Sequence, residues 1–166
     1  QKSQLWYHLP ARDTFNLLKH IYDLEERSFR QRLDELVSLF QISEVMGQTV
    51  RKLSLGQRMR CEIVASLLHR PEILFLDEPI SGIDIGGEKD FYQLIKNIQE
   101  EHNITVVMVS HEVNVVSQIA NQVICINKEM LCSGSPDTTL LPELIEQLYG
   151  KDVSLYKHQC NMGSSG

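Results

Sequence analysis

Residues 73–78 read Ile-Leu-Phe-Leu-Asp-Glu, four large apolar side chains without alternation followed by two adjacent carboxylates. An unbroken apolar run of this length suits a strand buried on both faces, the habit of parallel sheets flanked by helices. Pro71 stops the helical pattern that precedes it. The run therefore points to an α/β fold. It also leaves Asp77 and Glu78 side by side at a strand's carboxyl end, where open α/β sheets bind ligands.

The surrounding periodicity agrees. Phe15, Leu18 and Ile21 repeat at helical spacing, as do Phe29, Leu33, Leu36 and Phe40, and a third helix is predicted from about Gly56 to Leu68. After the strand at Ile73–Leu76 the pattern alternates. A helix is predicted over about Glu88–Glu101, a buried strand over Thr105–Val109, a short helix after His111 and a strand over Val123–Ile126, which implies a mainly parallel sheet. Asn127–Lys128–Glu129 reads as a turn into a further short strand, and Pro142–Leu148 as a terminal helix. The last residues, 161–166, read as a tail outside the fold.

A chain of 166 residues with 42% apolar content can build one sizeable core, so a single domain is expected. The net charge of −6 is carried by the part after residue 70, the earlier part being slightly basic. That distribution lacks the basic face of a nucleic-acid binder, and the run Arg27, Arg30 and Arg32 reads as a solvated helix face. The apolar runs fall short of a membrane span. Cys61, Cys125, Cys132 and Cys160 lack close metal-ligand spacing and sit mostly in apolar segments, so reduced thiols and no disulfide are expected. His158 and Cys160 read as carrying no metal site.

If both strands are parallel, Asp77–Glu78 and Ser110–His111 open onto one edge of the sheet. Two carboxylates and an imidazole there suit phosphate chemistry, in which one Asp holds Mg²⁺ and an adjacent carboxylate orients the attacking water. Upstream, Ser54 and Gly56 stand at the start of the third helix. Free backbone N–H groups, a hydroxyl and a glycine that allows close approach make an anion site, and Ser54 alone serves equally as a plain N-cap.

In this order and spacing, "LSLGQ" at 53–57, "ILFLDE" at 73–78, "SGID" at 81–84 and "SH" at 110–111 resemble the signature motif, Walker B strand, D-loop and switch histidine of ATP-binding cassette (ABC) transporter ATPases. "QKSQLWYHLP" at the start resembles the family's Q-loop. The resemblance implies a partial P-loop NTPase-like α/β domain over residues 1–160. About 1–70 would be the Q-loop and helical signature part, and about 71–150 the carboxyl-terminal part of the parallel-sheet core.

The resemblance also implies roles. Asp77 would organise Mg²⁺, Glu78 would be general base toward the hydrolytic water, and His111 would contact the γ-phosphate of ATP. Gln1 would touch Mg²⁺ and sense the transport domain, and Asp84 would belong to the loop that communicates across a dimer. Ser54, Gly56 and Gln57 would bind the γ-phosphate held by the opposite subunit, with Leu55 replacing the commoner glycine. The implied partners are a transmembrane permease subunit and a second ATPase subunit, in a homodimer or heterodimer, at the cytoplasmic face of the membrane. A soluble non-transport cassette ATPase and a truncated, non-hydrolytic partner-binding module are the alternatives.

The phosphate loop G-x-x-x-x-G-K-[ST] does not occur in these 166 residues. In the family it precedes the Q-loop, so the sequence is expected to begin partway into the domain, and these residues alone to bind ATP weakly and turn it over negligibly. Residues 1 to about 80 resemble exporter-type ATPases of the drug and polysaccharide class. Later stretches such as "VVMVSHEVNVV" and "VICINKEMLCSGSPD" resemble the ATPases of zinc/manganese uptake systems.

Overall fold

A computed structural model describes residues 4–79 and 85–141, with only the backbone described for 85–90 and for Val115. They fall into two compact units that divide between His111 and Glu112.

The first unit begins with three helices, α1 (Ala11–Ile21), α2 (Glu26–Leu39) and α3 (Leu55–Leu67). Ala11, Phe15 and Leu18 on α1, Phe29 and Leu36 on α2 and Ile63, Val64 and Leu67 on α3 are buried, so each helix turns one apolar stripe into a shared core. Glu25 caps α2 by accepting from the N–H groups of Arg27 at 2.8 Å and Ser28 at 2.6 Å. Those two bonds hold its carboxyl below the usual carboxylate range. Short 3-10 turns at Ser43–Val45 and Val50–Lys52 carry the chain from α2 to α3 and bury Val45 and Val50.

The α/β part follows as β1 (Ile73–Asp77), α4 (Ile85–His102) and β2 (Thr105–Val109). The strands pair in parallel, with Ile73 opposite Thr105 and Asp77 opposite Val109. β1 is not buried on both faces as its composition predicts. Leu74 and Leu76 are buried, whereas Ile73 is 49% and Phe75 71% exposed. Val107 and Val109 are exposed as well, so one face of this two-stranded sheet is covered and the other is open and apolar.

Arg32 overturns the solvated-face reading of its charge run. Arg27 and Arg30 are exposed, but Arg32 is 5% exposed. Its Nη1 lies 3.2 Å from the Glu35 carboxylate and 3.1 Å from Nε2 of His102, the last residue of α4. A guanidinium needs such partners when water is excluded.

The second unit comprises α5 (Val113–Ile119), β3 (Val123–Asn127), β4 (Glu129–Gly134) and α6 (Pro136–Thr139). β3 does not extend the parallel sheet, as the alternation of elements predicts. It pairs antiparallel with β4 through a tight reversal in which Lys128 adopts φ 61°. The short loop explains this, because a connection of that length can only join antiparallel neighbours. α6 has no counterpart among the expected elements, while the expected helix Pro142–Leu148 and the tail lie outside the described residues.

Candidate functional site

The register that sets Asp77 opposite Val109 brings the carboxyl ends of β1 and β2 together. Glu78 extends the ladder by one bond, its N–H donating to the Val109 carbonyl at 3.0 Å. It then turns out of the strand at φ 45°, a left-handed conformation that disfavours a residue with a Cβ by about 1–2 kcal/mol. The turn carries the Glu78 carboxylate to His111, whose Nδ1 lies 2.8 Å from Oε1. Because a carboxylate only accepts, Nδ1 carries the proton of this bond. The neutral ring then presents Nε2 as an acceptor, and only the doubly protonated ring presents it as a donor.

Glu78 is about one-third exposed and His111 two-thirds, so the pair is open to solvent. Asp77 is exposed too, and strand alternation places it on the open face with Ile73 and Phe75. The carboxylates of Asp77 and Glu78 are hard oxygen donors, the kind Mg²⁺ takes, and the second oxygen of Glu78 keeps its lone pairs for a water or a cation. Among the described residues no group of three or more His, Cys, Asp or Glu side chains is placed to hold a metal ion by itself, and a magnesium nucleotide, which takes only one or two protein carboxylates and its own phosphates, is what Asp77 and Glu78 fit.

Ser54 and Gln57 form a reciprocal capping box at the start of α3. Ser54 Oγ accepts from the Gln57 N–H at 3.2 Å, and Gln57 Oε1 accepts from the Ser54 N–H at 3.0 Å. Each bond uses an acceptor and leaves a donor: the Ser54 hydroxyl proton and the Gln57 amide NH₂ stay available for an anion at the helix start. An added Cβ at Gly56 meets nothing within 4 Å, so the surface there is open to a close approach.

The sequence-predicted residues therefore sort into two clusters, Asp77–Glu78–His111 at the strand ends and Ser54–Gly56–Gln57 at the start of α3. Gln1 and Asp84 lie outside the described residues. Sequence reasoning missed the direct bond between Glu78 and His111. Motif spacing holds no signal for it, because it follows from strand register and the reversal at Glu78. No helix among the described residues is long and apolar enough to cross a membrane.

Comparison with known proteins converges on one family. Residues 1–81 match the family model described as ABC transporter. The chain is 34% identical over 165 residues to the zinc import ATP-binding protein ZnuC of Pasteurella multocida, covering 97% of this chain and 61% of that protein. It is 35% identical over 142 residues to ZnuC of Paramagnetospirillum magneticum, covering 83% of this chain and 54% of that protein. The chain thus spans between about half and three-fifths of the length of these curated relatives. Among solved structures, cbiO1 from Clostridium perfringens, part of the ABC transporter complex cbiONQ, superposes with a TM-score of 0.74 at 22% identity, covering 85% of this chain and 57% of that one. A metal-chelate-type ABC transporter in an inward-facing conformation gives 0.77 at 20% identity, covering 88% and 62%. The fold is the mixed α/β fold of these structures.

Proposed function

We propose that this chain is an ATP-binding protein of the ABC transporter family and supplies the catalytic strand ends and signature helix of an ATP-hydrolysing transport subunit. The carrying observation is the convergence of Glu78 and His111 at the carboxyl end of a parallel strand pair, beside Asp77.

In this reading Asp77 holds Mg²⁺, which when bound neutralises phosphate charge. Glu78 accepts a proton from the attacking water through the carboxylate oxygen that His111 does not engage. His111 is fixed by that bond, so it donates to an anionic phosphate in its doubly protonated form. The Ser54 hydroxyl, the Gln57 amide and the N–H groups around Gly56 address the γ-phosphate of a nucleotide held by a second ATPase subunit. Gln1 and Asp84 complete the set as the Q-loop contact to Mg²⁺ and the dimer-communication residue. The energy is delivered to a transmembrane permease from a peripheral position on the cytoplasmic face. The names of the relatives support zinc or a similar divalent metal as cargo, imported rather than exported.

The open apolar face shared by Ile73, Phe75 and Val107 supports a further part of this reading. A layer that covers that face comes to lie beside Asp77, so a phosphate cradle carried by such a layer would complete the site. The test joins these residues to the amino-terminal part of a zinc-import relative, reconstitutes the product with its permease and measures ATP turnover. Turnover that depends on Mg²⁺ and on Glu78 supports the reading. A well-folded product that binds nucleotide and hydrolyses none excludes it.

A further inference from the structure

The β3–β4 hairpin carries a pair of thiols that the phosphate chemistry does not use. Cys125 and Cys132 stand directly opposite each other, immediately before the bulge that shifts the register between Cys125 and Ile126. Directly opposed residues of an antiparallel pair share one face. Their Cα atoms are about 4.5 or 5.5 Å apart, according to whether the pair is hydrogen-bonded, and both spacings fall inside the range a disulfide spans.

Their surroundings differ in a useful way. Cys125 is buried at 4% exposure, whereas Cys132 is half-buried and reachable from solvent. α6 closes over the pair: the Cys132 thiol donates to the Thr139 carbonyl at 3.9 Å. Gly134 permits that closure, because a Cβ there would lie 2.9 Å from the Thr138 hydroxyl. Burial first, and then the neighbouring Cys132, push the Cys125 thiol up to about 11. The thiol that an oxidant in solution reaches first is Cys132, because Cys125 is buried. Cys61, isolated in the core and pushed up by burial to about 12, is an internal unreactive control.

We propose that Cys125 and Cys132 are a reversible cross-strand dithiol, oxidised to a disulfide by exchange with a small-molecule disulfide such as oxidised glutathione. The Cys132 thiolate attacks one sulfur of the oxidant, whose S–S bond breaks and releases one glutathione thiolate that takes up a proton. The resulting mixed disulfide on Cys132 is attacked by Cys125 after loss of its proton, which forms the protein S–S bond and expels the second glutathione. The protein loses two protons and two electrons, and the oxidant gains both as two thiols. The linked hairpin is held against fraying at its α6 side, and a reduced thiol pool reverses the step.

The test incubates the chain with glutathione mixtures of graded oxidation, traps free thiols with an alkylating agent and maps the peptides by mass spectrometry. The expected product is a Cys125–Cys132 linkage, lighter than the reduced protein by two hydrogen atoms, with Cys61 alkylated only after denaturation. In Cys125→Ser a stable glutathione adduct accumulates on Cys132, and in Cys132→Ser adduct and linkage both disappear. Wild-type protein that keeps the Cys132 adduct without resolving it, or that links Cys132 to Cys160, overturns the proposal. Wild-type mapping decides the question even if a variant fails to fold.

Discussion

Glu78 Oε1 and His111 Nδ1 lie 2.8 Å apart, joining residues 33 positions distant in the chain across the carboxyl ends of two parallel strands. One oxygen of the proposed base is thereby tied to the imidazole, and the other is left for water. In a product completed with the phosphate loop, Glu78→Gln keeps the shape and the hydrogen bond to His111 but removes basicity. Turnover is expected to fall by about 10²-fold or more, with equilibrium nucleotide binding unchanged. The 166-residue chain by itself is expected to show no turnover above background in a phosphate-release assay. Release from the isolated chain that Glu78→Gln abolishes would overturn the second expectation.

Ser54 is expected to separate two roles of one hydroxyl. Ser54→Ala removes the cap of α3 and lowers stability by about 1 kcal/mol, read as a shift in the denaturant midpoint. Ser54→Asn keeps a capping oxygen, so its midpoint stays near wild type while turnover in the completed, dimeric product falls. Equal loss of turnover and stability in both variants would reduce Ser54 to a cap.

His69 stacks on Tyr22 with ring centroids 4.3 Å apart, and burial lowers its pKa below 6.5. Its Nδ1 is buried without a hydrogen-bond partner. The folded protein thus binds a proton less readily than the unfolded chain, so stability is highest above pH 6.5 and declines as the pH falls from there toward the lower folded value. Urea midpoints measured from about pH 7 to pH 5 should fall in wild type. In His69→Phe, which keeps an aromatic ring beside Tyr22, that decline should flatten.

Phe75 is 71% exposed on the open face of the β1–β2 sheet. Phe75→Lys should leave the unfolding midpoint of the isolated chain nearly unchanged and reduce its binding of a hydrophobic dye. Exposed aromatic area of this kind attracts dyes and other chains. The same substitution in the completed subunit should destabilise it, because there the lysine would be buried by the covering layer. A loss of stability in the isolated chain would show that Phe75 is already packed.

Much of the first unit is legible in the sequence because its signals are local. The apolar spacing of Phe15, Leu18 and Ile21 marks α1 as a helix, and the expected span of about Gly56–Leu68 comes within a residue of α3 at each end. Ser54 as an N-cap marks the start of α3, and the strand ends follow from Asp77 and Val109. The illegible parts depend on what lies across space. Leu74 and Phe75 are equally apolar, yet only the first meets a covering layer. Arg32 looks like Arg30 in a list of charges, and its burial depends on a histidine 70 positions away. The β3–β4 hairpin was legible in its turn at Asn127–Lys128–Glu129, and only the alternation of elements misdirected β3 toward the parallel sheet.

The buried Arg32 makes α2 and α4 partners in one cooperative transition. Arg32 and Glu35 belong to α2 and His102 to α4, so separating the two helices breaks the contact between Arg32 and His102 and leaves the guanidinium with Glu35 alone. Amides of the two helices are therefore expected to exchange with solvent through a common opening, as one foldon. Motion imposed on the helical block would reach α4, the helix that follows β1 and Asp77 in the chain, as a change in shared stability rather than as a displacement of any single side chain.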